Sequence, residues 1–251
     1  MKISEILARR PEELHRNDPW LDKAFYVSAG LLFLLYFVTP FLFSFFIEEF
    51  RAIPEDVRIF LVVVPHQALL LAGMFFTAAF AGGGAKPGEI SSRLGFSPCG
   101  FADLRYAVLL ALLVVPLSFV ANNLVYIISS YAGVELAPPV VNELLTACSW
   151  PGFAVIAFGA LVLAPLGEEI IFRRIIFCYA SKYVSVIGAA VISSTLFAAA
   201  HFNIRHFAGL FILGLALQFL YIRSRSLYPC IALHFLQNLI SVTGIFIHKL
   251  N

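Results

Sequence analysis

Three short patterns in this 251-residue sequence set acids, imidazoles and a carboxamide at helical spacing. Glu168-Glu169-Ile170-Ile171-Phe172-Arg173 reads EExxxR, Phe197 and His201 bound an FxxxH, and His234 and Asn238 bound an HxxxN. Residues four apart share a helix face, and an acid on the N-terminal side of a base is the favourable order, so Glu169 and Arg173 form an ion pair along their own helix. Glu168 is turned by about 100° from Glu169 and lacks that partner. By the same spacing the ring of Phe197 braces His201, while His234 and Asn238 project together from one face.

A carboxylate withdrawn from bulk water suits a general base that takes a proton from a water molecule, and Glu168 fits that role. His201 can hold the same water and direct its attack. His234 and Asn238 both offer N–H donors, and two converging donors are what an oxyanion developing on an amide carbonyl requires. The combination reads as hydrolysis of a peptide bond with no cofactor required. Zinc is the alternative, since Glu168, His201 and His234 match a catalytic set with one open position. Asn238 would be an unusual fourth ligand and HExxH is absent, which tilts the reading toward glutamate-activated water.

Plainer readings apply elsewhere. A lone histidine on a membrane helix more often joins helices than catalyses, and the Glu169–Arg173 pair reads as structural. His66, next to Pro65, reads as a hydrogen bond at a kink, and Asn122, Asn123 and Gln218 as helix-to-helix contacts. Glu168 resists such a reading, because a second carboxylate beside a salt bridge is a costly way to hold helices together.

These groups need a scaffold that places them at membrane depth. The chain is 61% hydrophobic and 13% charged, with mean hydropathy +0.90, far from a water-soluble domain. Apolar runs predict an all-α polytopic membrane protein of about seven transmembrane helices, or eight, near 24–46, 59–81, 104–128, 151–180, 184–203, 207–222 and 227–247. Residues 1–23 form a cytoplasmic or interfacial segment, in which Ile3, Ile6 and Leu7 fit a short amphipathic helix, and 24–251 form one transmembrane domain. The linkers are Ala81–Asp103, rich in Gly, Pro and Ser, and a stretch from Ser129 to Pro151 without Lys or Arg. Lys2, Arg9, Arg10, Arg16 and Lys23 place the N-terminus in the cytoplasm of a cell membrane, plasma or inner. The dispersed basic residues argue against a nucleic-acid partner. Membrane lipids and a membrane-associated protein or peptide are the expected partners. Cys99, Cys148, Cys178 and Cys230 form no CxxC and read as free thiols.

Folding the fourth and fifth runs into a hairpin about Ser181–Ser185 brings Glu168 and His201 to one depth, roughly 20 Å from the turn. The seventh run carries His234 and Asn238 to roughly 10 to 17 Å from the same side. All four then converge near the midplane.

In this order, on separate membrane helices, EExxxR, FxxxH and HxxxN resemble the CPBP or Abi family of intramembrane proteases, which includes the type II CAAX prenyl endopeptidases. The resemblance covers the motif-bearing core, about 151–247, and the upstream SRLGFSPCGFADLRYAVLLALL is similar to the region that commonly precedes that core in bacterial members. It implies a peptidase acting on a membrane-associated or lipidated protein. In it, Glu168 activates water, His201 orients it, His234 and Asn238 stabilise the oxyanion, and Glu169 and Arg173 support the site. Family members are described both as metalloproteases and as glutamate-dependent proteases, so glutamate-activated water and zinc both stay open. The helix count departs from the best-described relatives, which carry one more. A non-catalytic peptide-binding or immunity membrane protein of the same fold is the alternative. A transporter is disfavoured by the lack of internal repeats.

Overall fold

A computed structural model describes residues 19–34, 38, 45, 53–80, 85–136 and 149–250. Among these residues the chain is all helix and turn, in eight helices. They are α1 (Pro19–Phe33), α2 (Glu55–Phe80), α3 (Pro87–Arg93), α4 (Phe101–Tyr131), α5 (Trp150–Ala180), α6 (Val186–Ala199), α7 (Ile204–Ser224) and α8 (Tyr228–Leu250). Four of them, α4, α5, α7 and α8, are long and apolar enough to cross a bilayer, and Val64–Phe80 and Val186–Ala199 are shorter apolar helices. The protein is an integral membrane protein. The expected amphipathic helix at Ile3, Ile6 and Leu7, the basic residues up to Arg16, and Cys148 lie outside the described residues.

Seven helices match the seven apolar runs, and the eighth is the short α3 inside the predicted linker Ala81–Asp103. That linker is built into the fold rather than merely spanning a gap. Leu227 N–H donates to Gly95 O at 3.0 Å, and Ser226 Oγ donates to Ser97 O at 2.7 Å, so it straps the turn between α7 and α8. Gly95 makes this possible, with φ +91° and a position where a Cβ would lie 3.0 Å from Leu227. Asp22 with Lys182 (2.6 Å) and Asp103 with Arg223 (3.1 Å) pair across elements in the arrangement that puts these loops on one side of the bundle.

Two boundaries differ from the sequence reading. The first helix starts at Pro19, so a boundary at residue 23 cuts through it. The fifth run, expected over 184–203, stops at Ala199. Asn203 ends it: its side chain accepts from His206 N–H at 3.2 Å and caps α7, and Phe202 takes a left-handed φ of 48° in the turn. Ser185 and Ser149 cap α6 and α5 in the same way, accepting from Gly188 and Gly152 N–H.

α5 is one helix with two widened turns of i→i+5 bonding, Gly159–Leu163 and Ile170–Ile176, on either side of Ala164–Glu169. Pro165 accounts for the first. It has no N–H to donate and its ring crowds the preceding turn, so the helix widens just before it.

α4 and α7 approach closely at Gly209, where a Cβ would sit 2.6 Å from the Asn122 amide. Gly209 N–H instead donates to Asn122 Oδ1 at 2.9 Å, and Ser118 Oγ donates to Gly209 O at 3.0 Å. Small residues and shared hydrogen bonds are how membrane helices associate when water supplies no driving force between them. The reading of Asn122 and Gln218 as helix-to-helix contacts holds, whereas Asn123 bonds within its own helix, to Phe119 O.

Candidate active site

The three patterns meet on one ring. Phe197 of α6 is wholly buried, with the Arg173 guanidinium 4.3 Å from its centroid. The rings of Phe172, His201 and His234 stand edge-on to it at 5.3, 5.1 and 5.7 Å. α5, α6 and α8 therefore bring EExxxR, FxxxH and HxxxN into one contiguous cluster.

Its interior half is closed. Glu169 and Arg173 are 0% exposed, with Glu169 Oε2 3.1 Å from Arg173 Nε, as i,i+4 spacing predicts. The pair is off the line of a hydrogen bond, and the guanidinium nitrogens find no other hydrogen-bond acceptor among the described residues. Charge and the face of Phe197 hold this cation. The other Glu169 oxygen, Oε1, accepts from His234 Nδ1 at 2.8 Å, so one carboxylate anchors both a guanidinium and an imidazole.

The outer half is open. Glu168 keeps 24% of its side chain exposed, and its Oε2 lies 3.8 Å from His234 Nε2. His234 thus stands between the two members of the acidic doublet, one at each ring nitrogen. His201 lies beyond the end of α6 rather than within it, and is exposed. Its Nδ1–H donates to Phe197 O at 2.8 Å, which meets one orphan carbonyl of the helix end and leaves Nε2 as the outward nitrogen.

Asn238 has a partner that follows from Pro165. In the first widened turn the Ala164 N–H bonds to Gly159 O, and the amide due to bond Ala160 O belongs to Pro165, which has none. Asn238 Nδ2 fills that place, donating to Ala160 O at 2.7 Å. Such an amide has a second N–H to offer.

No group of three His, Cys, Asp or Glu among the described residues is arranged to hold an ion. The described cysteines Cys99, Cys178 and Cys230 are free thiols.

Arg174 differs from expectation. An arginine just past a paired run at a helix end ordinarily faces solvent or snorkels to the headgroups, but Arg174 is only 8% exposed. Its Nε donates to Arg93 O at 2.6 Å and its guanidinium lies 5.2 Å from the Trp20 ring centroid, both supplied by segments far off in sequence. Sequence reasoning also missed Ser193 as a partner of α5. Its hydroxyl donates to Phe172 O at 2.6 Å and accepts from Gln218 Nε2 at 2.8 Å.

With this geometry in view, comparison with known proteins places the core. Residues 150–240 match the family described as type II CAAX prenyl endopeptidase Rce1-like. The matched segment, similar to that family, runs from the start of α5 into α8 and contains all three patterns. The chain is also 32% identical over 77 residues to "Putative membrane peptidase YdiL" of Bacillus subtilis (strain 168), an alignment covering 31% of this chain. It spans about a third, 32%, of that relative's length. No solved structure matches the chain.

Proposed function

We propose that the protein is an intramembrane endopeptidase that hydrolyses a peptide bond of a membrane-associated or lipidated protein, with Glu168 taking the proton from the attacking water. The observation that carries this reading is the Glu168–His234 pair. It joins two titratable groups from different helices at 3.8 Å, with the far side of the imidazole anchored by Glu169 at 2.8 Å. The Rce1-like match and the printed name of the Bacillus subtilis relative support the peptidase class.

In this mechanism a water beside Glu168 gives up a proton to the carboxylate as its oxygen attacks the scissile carbonyl carbon. His201 turns Nε2 toward the same water as an acceptor, because its Nδ1–H is spent on Phe197 O. The carbonyl electron pair moves onto oxygen, and this oxyanion meets the second N–H of Asn238 and the Nε2–H of His234. His234 Nδ1–H is committed to Glu169, so an Nε2–H requires the ring to carry both protons. Collapse of the intermediate breaks the C–N bond, and the proton held by Glu168 leaves on the amine. Glu169 and Arg173 keep His234 in place and touch no reacting atom.

The test uses purified protein in proteoliposomes and two quenched peptides of one sequence, one carrying a farnesylated C-terminal cysteine motif and one without lipid. Cleavage of either is expected, with Glu168→Ala slowing it by about a thousandfold, within the range of general-base catalysis. Preference for the farnesylated peptide would assign a prenylated substrate. Peptide binding of equal strength in wild type and Glu168→Ala, with no hydrolysis by either, would favour a peptide-binding protein. Loss of cleavage on chelation, restored by zinc, would move the reaction to the metal-dependent form.

A further inference from the structure

A second polar cluster, unused by the chemistry above, surrounds the Phe172 carbonyl. This oxygen lies in the second widened turn of α5 and accepts Phe177 N–H through the i→i+5 bond. Ser193 Oγ of α6 donates to it at 2.6 Å, and Gln218 Nε2 of α7 reaches it at 3.4 Å while donating to Ser193 Oγ at 2.8 Å. Ser193 and Gln218 are 0% and 1% exposed. Across the acidic doublet, the first widened turn is gripped in the same way by Asn238 of α8 on Ala160 O. α6, α7 and α8 thus each place a side chain on a carbonyl of a widened turn, and Glu168 and Glu169 sit between the two grips.

We propose that Ser193 and Gln218 are positioning residues for the Glu168–His234 pair, pinning the second widened turn at the Phe172 carbonyl. A widened turn is one extra residue in a helix, and nothing in the backbone alone fixes where along the helix it resides. If it moves, each residue it passes rotates by roughly 100°, the angular step of the helix. This turn begins at Ile170, next to Glu169, and contains Arg173. Movement by a few residues toward the N-terminus would swing Glu169 and then Glu168 away from His234. The pin holds the turn because Phe172 O keeps all its donors only in its present register. It works through backbone placement, and neither residue touches the reacting atoms. The catalytic consequence rests on the peptidase reading above, whereas the pinning does not.

The experiment compares wild type, Ser193→Ala, Ser193→Thr, Gln218→Leu and the double variant Ser193→Ala/Gln218→Leu, in lipid nanodiscs and with the farnesylated quenched peptide as probe. Hydrogen exchange of residues 170–177 is expected to speed by about tenfold in Ser193→Ala, the weight of one buried hydrogen bond, and by more in the double variant. Exchange in α4 stays unchanged. The value of kcat falls by about tenfold with KM within about twofold, the pattern of a lost transition-state geometry, and Ser193→Thr retains both properties. A merely structural role would not lower kcat selectively or be rescued by threonine. Unchanged exchange over residues 170–177 in the double variant overturns the pin, and faster exchange with unchanged kcat overturns the positioning role. Should the double variant not fold, Ser193→Ala, which removes a single oxygen, decides alone. If wild type hydrolyses no probe, the peptidase reading fails while the exchange data still decide the pin.

Discussion

α4 and α5 are both 31 residues long, both apolar and both interrupted by a proline, yet 17% of the most apolar stretch of α4 is buried against 50% in α5. α4 stays α-helical past Pro116, giving up the one backbone bond that proline cannot donate, and presents Leu112, Leu113 and Phe119 outward. α5 breaks that regularity twice and is surrounded by side chains from α6, α7 and α8 that take up the displaced carbonyls. Two helices that both qualify as membrane spans thus have opposite tasks. One helix meets lipid, where an unmet backbone group is costly, and the other can afford irregularity because neighbouring helices meet its polar groups. The irregular helix is also the one that carries the acidic doublet.

Substitutions can break or sharpen this contrast. The largest effect is expected inside α5. Arg173→Met leaves the fully buried Glu169 without its guanidinium, and breaking such a pair costs on the order of 3 to 5 kcal/mol, read as a lowered unfolding midpoint in detergent. Truncating Phe197 to alanine removes the ring on which Arg173, His201 and His234 all rest, at a cost of about 3 kcal/mol or more in the same assay. On the α4 side, Asn122→Ala deprives Gly209 N–H of its acceptor, and about 1 kcal/mol is expected, as for other interhelical hydrogen bonds in membranes. Leu112→Ala, at a position 72% exposed, is expected to shift stability by less than about 0.5 kcal/mol. A cost at Leu112 approaching that at Arg173 would erase the distinction between the helices.

Much of this arrangement was legible in the sequence where local spacing decides it. The Glu169–Arg173 pair follows from i,i+4 geometry alone, and its 3.1 Å contact needs no information from elsewhere in the chain. The shared depth of the three patterns follows from helix rise and the turn at Ser181–Ser185. Three kinds of feature escaped. Arg174 lies inside because Trp20 and the Arg93 carbonyl arrive from remote segments, which spacing along one helix does not reveal. His201 lies beyond its helix because Asn203 caps the next one, so turn chemistry stopped an apolar run that hydropathy alone would continue. The widened turns escaped for a subtler reason. Pro165 signals the first, but wheel reasoning assumes one angular step throughout, and the grips of Asn238, Ser193 and Gln218 become visible only once that assumption is dropped.

The two carboxylates of the doublet put the central claim in its narrowest form, since they are adjacent in sequence and the same substitution can be made in each. The most direct measurement is the hydrolysis rate and unfolding midpoint of Glu168→Gln beside those of Glu169→Gln, under one set of conditions. The account predicts that Glu168→Gln loses at least about a hundredfold in rate while keeping its midpoint, whereas Glu169→Gln loses stability as well, through the uncompensated Arg173. A Glu168→Gln protein that hydrolyses substrate at the wild-type rate would contradict it.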